Sequence, residues 1–196
     1  LQYLSQVNFP TALTGTCRYD NIIQVDTDNE GAAEKMTTLL IGKGFRRFAF
    51  LVKDMSYNVD RKRHEGFCRA LIKNGISEKD QLFYNGSIRM EFLDAIIENI
   101  ISKKVECIIC GDDEICTMVM SRLQAEGYRI PKDVAIASLY NSTNLDCYSP
   151  AVTAVSVAAS QMGGTAVRQL IQRLRGENYE KKTMLDYDIL FRKSTN

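Results

Sequence analysis

Apolar residues recur along this chain in two alternating rhythms. Short unbroken runs, RRFAFLV and VECIIC among them, have the composition of strands buried on both faces. Between them lie longer stretches in which apolar positions return every third or fourth residue. From Asp28 to Gly44, Ala33, Met36, Leu39 and Leu40 share a face, with Asp28 or Asn29 as cap and Gly42 or Gly44 as stop. A second helix is predicted from Asp60 to Asn74, carrying Phe67, Ala70 and Leu71 and stopped by Gly75. Leu93, Ile96, Ile97, Ile100 and Ile101 then mark the core-facing stripe of a third. Further helices are expected over Asp113 to Glu126 and Ser160 to Arg175, the latter with Val167, Leu170, Ile171 and Leu174 on one face. PTALTG, QLFYNG, DVAIASLY and AVTAVSV are the other strand candidates, and the tail MLDYDILFRKS reads as a closing strand or hairpin.

Strands alternating with helices at this spacing predict an α/β fold, with parallel sheets flanked by helices. Such sheets bind ligands at the carboxyl ends of their strands, near the point where strand order reverses. Functional residues are therefore sought in the loops that follow strands.

Composition narrows the classes further. With 45% hydrophobic and 25% charged residues the chain has the make-up of a globular protein. No apolar run approaches the roughly 18 residues that a membrane span requires. The 25 basic and 24 acidic residues leave a net charge of +1, too little for a surface that grips nucleic acid by itself. The opening LQYLSQVNFPTALTG has no basic n-region, so a cytoplasmic location is expected. Six cysteines suit a reducing compartment. Cys107 and Cys110 have metal or redox spacing, but on a strand a period of two sends them to opposite faces. His64 is the single histidine. Neither a metal nor another cofactor is expected, and with no Ser-His-Asp set or Gly-rich phosphate loop the chain does not read as an enzyme.

Several phrases, in order, resemble the lactose/galactose-repressor family of bacterial transcription regulators. VDTDNEGAAEKMTTLLIGKGF sets Asp28-Asn29 at a helix start, where the family has its Asp-Asn pair. Arg63 stands three residues before Gly66-Phe67, where the family keeps an arginine. CIICGDDEICTMVMSRLQAEGYRIPKDVAI matches its strand, Asn-Asp, helix element, with Asp112-Asp113 in the Asn-Asp place. SPAVTAV, QMGGTAVRQLIQRL and ILFRKST complete a resemblance that runs from about Phe9 to Thr195.

The resemblance implies a two-lobe, periplasmic-binding-protein-like effector domain with a small molecule, by default a sugar, between the lobes. Residues 1–21 and 151–181 would belong to the N-terminal lobe, and residues 22–150 and 182–196 to the C-terminal lobe. Family effector domains are longer, so an incomplete N-terminal lobe is expected. Operator DNA would be contacted only through a headpiece absent from this chain, and a homodimer is implied.

Arg63 is the leading ligand-binding candidate, because a planar guanidinium donates paired hydrogen bonds to hydroxyls or a carboxylate. Asp112 occupies the place of the family's ligand-touching asparagine, while Asp113 reads as the cap of the following helix. Tyr140, Asn141, Tyr57 and Asn58 complete the candidate lining. Three usual contacts are altered. Tyr140-Asn141 follows the strand where an aspartate is common, Gly15 replaces another aspartate, and Gly86 falls where an aromatic stacks, leaving Tyr84 nearest. Two other functions stay open: a transport-type sugar-binding protein, and a dimerisation or corepressor module without a sugar ligand.

Overall fold

The computed structural model describes residues 1–86 and 90–196. In chain order the helices are α1 (Gln2–Gln6), α2 (Asn29–Gly42), α3 (Asn58–Lys73), α4 (Met90–Ser102), α5 (Asp113–Ala125), α6 (Thr143–Cys147) and α7 (Ala159–Leu174). The strands are β1 (Ala12–Thr14), β2 (Ile23–Thr27), β3 (Phe48–Val52), β4 (Leu82–Asn85), β5 (Cys107–Cys110), β6 (Ala135–Ser138), β7 (Thr153–Val157), β8 (Lys182–Leu185) and β9 (Tyr187–Leu190). Every long helix and central strand expected from periodicity is present. Two short helices, α1 and α6, lie in stretches too brief for a periodic signal.

The elements form two compact units. The first, Leu1–Asp28 with Val157–Tyr187, is built on a parallel sheet of order β1-β2-β8. Ile23 and Val25 bury one face of it against Ala166 of α7, with Met162 and Leu170 alongside. The expected α7 stripe is only partly used: Leu170 reaches this core, whereas Val167, Ile171 and Leu174 stay exposed.

The second unit, Asn29–Ser156 with Asp188–Asn196, holds a six-stranded sheet of order β4-β3-β5-β6-β7-β9. From β4 to β7 its neighbours pair in parallel. The crossings therefore fall at 28/29, 156/157 and 187/188, not at 21/22, 150/151 and 181/182 as the family analogy suggested. Hydrogen bonding moves the boundaries. β2 pairs with β1 and β8 in the small sheet, and β7 pairs with β6 in the large one. The tail is not a hairpin either, since β8 and β9 belong to different sheets.

The strands of the second unit are covered on both faces. Ala49, Leu51, Ile108, Cys110 and Ile136 face α4 and α5, meeting Leu93, Ile97, Ile100, Val119, Met120 and Leu123. Phe48 and Phe50 point the other way, toward Phe67 of α3, with ring centroids 6.1 and 4.7 Å apart. Phe48 is in register with Cys107 and Leu51 with Cys110, so the two thiols lie on opposite faces, as the period of two requires.

Helix α3 packs against α2 at unusually short range. A Cβ on Gly66 would stand 2.1 Å from the Glu30 carbonyl oxygen and 2.9 Å from the Glu34 amide. The close approach brings opposite charges together along the helix pair: Lys62 with Glu30 at 2.8 Å, Lys73 with Glu34 at 2.5 Å, and Arg69 with both acids. Exposed pairs of this kind contribute about 0–1 kcal/mol each, so the missing Cβ matters more than the ladder built over it.

The end of the chain is fixed by hydroxyls. The Ser194 hydroxyl donates to the Ile136 carbonyl at 2.6 Å and accepts from the Thr153 amide at 2.8 Å. Thr195 and Thr153 share a 2.7 Å bond. These side chains are buried, which gives the RKST ending a structural role.

Gly66→Ala is expected to destabilise the fold by roughly 1–3 kcal/mol, because backbone atoms of two helices must separate to admit a methyl group. A fall in urea midpoint at unchanged slope would register this. An unaltered midpoint would show that α2 and α3 can separate without cost.

Candidate functional site

Strand order reverses between β3 and β5. From β3 the chain crosses outward to β4 and then returns to the other side of β3 as β5. The loops leaving these two strands diverge, which opens a crevice at their carboxyl ends. Residues 53–58 follow β3, Gly111 and Asp112 follow β5, and residues 139–142 follow β6.

Arg63 is delivered to this crevice by the second turn of α3. It is buried, at 8% exposure, and Nη1 donates to the Gly111 carbonyl at 2.6 Å. The guanidinium is thus bonded to the residue that precedes Asp112. Gly111 itself lies against β3: its amide donates to the Leu51 carbonyl at 2.7 Å, and a Cβ would stand 3.0 Å from Val52 Cγ1. The residue whose carbonyl receives Arg63 is thus held against β3.

Asp112, and not Asp113, caps α5. Its backbone is extended (φ −143°, ψ 178°) and Oδ1 accepts from the Ile115 amide at 2.9 Å. Asp113 already has a helical position, where its charge faces the positive end of the helix dipole. The two aspartates therefore exchange the cap role expected from sequence. The other Asp112 oxygen is 2.8 Å from Lys53 Nζ, which also pairs with Glu114. Partial burial works against the ammonium, and hydrogen bonds to Asp112 and Glu114 more than offset it, raising the lysine pKa above its ordinary value.

The β3–α3 loop is tied from within. Buried Asp60 accepts from the Asp54 amide at 3.0 Å, and Asp54 accepts from the Ser56 amide at 2.8 Å. Asn58 is engaged by Arg61 Nη2 at 2.7 Å, and the Tyr57 ring is exposed. These two candidates stand at the start of α3, apart from the Arg63–Gly111 bond.

The β6 loop lies beside Asp112, since Cys110 and Ser138 are in register and Leu139 donates to the Cys110 carbonyl at 2.9 Å. The Ser138 hydroxyl donates to the Tyr140 carbonyl at 2.7 Å. Asn141 Oδ1 accepts from Arg192 Nη1 at 2.9 Å, and the same nitrogen donates to the Val152 carbonyl at 2.6 Å. One acceptor site of the Asn141 side-chain carbonyl is thereby occupied. The neighbouring Ser142 hydroxyl is buried without a hydrogen-bond partner among the described residues.

Tyr84 does not take the stacking place. Its ring packs on the core under α4, and its hydroxyl accepts from Asn99 at 2.7 Å. Sequence reasoning also missed Lys53, Asp60 and Arg192. A basic residue directly after a buried strand was the available signal for Lys53. Arg192 is far away in sequence and had none.

His64 sits between Phe50 and Phe83, at ring distances of 5.8 and 4.3 Å, with Cys68 Sγ 3.5 Å from Nε2. Burial lowers the imidazole pKa and raises the thiol to about 11, so the pair is unsuited to nucleophilic chemistry. Among the described residues no group of three or more His, Cys, Asp or Glu is placed to hold a metal. Nor, among them, is any helix long and apolar enough to cross a membrane.

Residues 37–195 match the family model of the periplasmic binding protein-like domain, and the chain belongs to this family. Its relatives are transcription regulators, as the resemblance to the lactose/galactose repressors implies. The HTH-type transcriptional repressor PurR of Erwinia tasmaniensis is 26% identical over 153 residues, covering 77% of this chain and 45% of the relative. Among solved structures, the transcription regulator CcpA of Lactococcus lactis superposes with a TM-score of 0.90 at 25% identity, over 100% of this chain and 73% of that one. A complex of the transcriptional regulator CelR with cellobiose gives 0.80 at 25% identity, over 94% and 57%. The chain spans about half the length of the curated relatives it matches.

Burial of neutral His64 makes stability depend on pH. The folded pKa lies below the unfolded value near 6.5, so its contribution is complete above the unfolded value and is lost as pH falls from there through the lower folded value. Between about pH 8 and about pH 5 the urea midpoint is expected to fall less steeply for His64→Gln than for the parent. Parallel profiles would assign the loss to other groups.

Proposed function

We propose that this chain is the effector-sensing domain of a bacterial DNA-binding transcription regulator of the repressor type, and that a small metabolite of the sugar class binds at the carboxyl edge of the six-stranded sheet. The observation that carries the reading is the buried Arg63 guanidinium on the Gly111 carbonyl, at the point where strand order reverses. A guanidinium has five N–H donors in a rigid plane, and the bond to Gly111 fixes the orientation of that plane. Asn141 adds amide donors and Lys53 an ammonium. Hydroxyl oxygens of a polyhydroxy solute are suitable acceptors for all three. Asp112 would accept a ligand hydroxyl by exchanging it for Lys53. Tyr140, Tyr57 and Asn58 form the outer lining. The cellobiose complex of a similar regulator supports a carbohydrate.

Such a domain acts without chemistry. A ligand shifts the balance between two conformations only by its different affinity for them. In a homodimer that shift changes the spacing of two DNA-binding heads. With a net charge of +1, this chain leaves operator contact to a headpiece outside it. The working compartment is the cytoplasm, where the operator is.

Thermal-shift measurements against neutral mono- and disaccharides, cellobiose included, test this reading. A sugar at 100 times its Kd should add about 2.7 kcal/mol of stability. Arg63→Ala should abolish the shift. A full shift in that variant, or no shift with any carbohydrate, would overturn the assignment.

A further inference from the structure

At the opposite, amino edge of the same sheet, three helix ends meet. α2 leads into β3, α4 into β5 and α5 into β6, and these three strands are neighbours. Each helix stops in the same way. The Phe45, Val105 and Tyr128 amides donate back to the carbonyls of Leu40, Ile100 and Leu123 at 3.3, 3.1 and 2.9 Å. The residue before each donor is left-handed: Gly44 at φ 104°, Lys104 at φ 54° and Gly127 at φ 81°. The apolar residues after these positions form part of the lining of a cleft of about 1060 Å³.

The charge around the cleft is uneven. Its three carboxylates are each held by an arginine: Glu106 by Arg47 at 2.8 Å, Asp133 by Arg129 at 2.7 Å, and Glu126 by Arg122 at 2.8 Å. Lys43, Lys104 and Lys132 line the same cleft, and among the described residues none has a carboxylate within 4.0 Å. Lys43 instead donates to the Thr195 carbonyl at 3.4 Å and to Asn196. Lys43 also stands over the Phe191 ring, 4.8 Å from its centroid, and Lys132 is adjacent to Asp133, so Lys104 is the ammonium of the three least engaged by its neighbours. Lys104 is the most informative of them. At the equivalent position the two other turns use glycine, the residue that accepts a left-handed backbone without cost.

We propose that this cleft is a second binding site, for a small organic anion with several negative charges, of the phosphate-ester class. The three ammonium groups act as point charges on the phosphates. Phe45, Val105 and Tyr128 seat the carbon skeleton. The strands separate this site from Arg63 by roughly 16 Å, at about 3.3 Å per residue, so its occupant does not compete directly with a sugar.

Calorimetric titration of the protein at low salt, with inorganic tripolyphosphate and ATP as probes, tests the proposal. Saturable tripolyphosphate binding is expected, with tighter ATP binding because the apolar floor is used. Lys104→Gly should weaken both by about tenfold, while raising the melting temperature of the ligand-free protein by about 2 °C through relief of the backbone. Opposite signs in one variant separate lost binding from lost folding, and Lys132→Ala should weaken binding comparably. No saturable binding, or affinities indifferent to both lysines, would overturn the site. So would loss of binding in Arg63→Ala alone, which places the anion at the carboxyl edge. Equal affinity for the two probes would remove the apolar floor, and tighter binding of poly-glutamate would replace the small anion with an acidic partner chain.

Discussion

A parallel sheet covered by helices on both faces has no room in its body for unpaired polar groups, and this constraint organises the second unit. Strands β3, β5 and β6 are wholly buried, with Phe48 and Phe50 toward one layer and Ala49 and Leu51 toward the other. Polar side chains are therefore displaced to the strand ends. Because the strands run parallel, the two ends differ. One receives loops leading into helix starts, the other loops leading out of helix stops. Helix starts and the Asp112 cap gather at the first, helix ends and lysines at the second.

That constraint explains how much of the site was legible in the sequence. Arg63 stands out because it lies a fixed distance before Gly66-Phe67. The structure gives the spacing a cause: Gly66 sets the approach of α3 to α2, and Phe67 locks the helix onto Phe48 and Phe50. The rotation of α3 is then fixed, and with it the direction of Arg63. Long-range polar pairing leaves no such trace. Lys53 joins Asp112 across 59 positions, and Arg192 reaches Asn141 from the far end of the chain. No periodicity encodes either contact.

Errors of one residue have a similar origin. Asp112 and Asp113 are equally good caps by composition. The choice depends on which of them has extended backbone, and the close packing of Gly111 on β3 fixes that. The unit boundaries moved for the same reason. Alternating patterns show that β2, β7 and β8 are strands, but not which neighbour each will bond. Strand pairing is a property of the sheet, and family analogy carried the boundaries only to within several residues.

Helix dipoles also favour lysines at the amino edge, and magnitudes decide how far that effect reaches. Cations near helix C-termini are stabilised by the helix dipole by about 0.3–1 kcal/mol when exposed. This accounts for Lys43, which follows α2 directly. It does not account for Lys132, which lies beyond the last turn of α5 and beside the Arg129–Asp133 pair. For Lys104 the balance is unfavourable, since a left-handed backbone costs a side-chain-bearing residue about 1–2 kcal/mol. The dipole at best cancels that cost. Gly44 and Gly127 make the same turn without incurring it, and their backbone bonds match that of Val105. At Lys104, then, folding stability does not account for the choice of side chain.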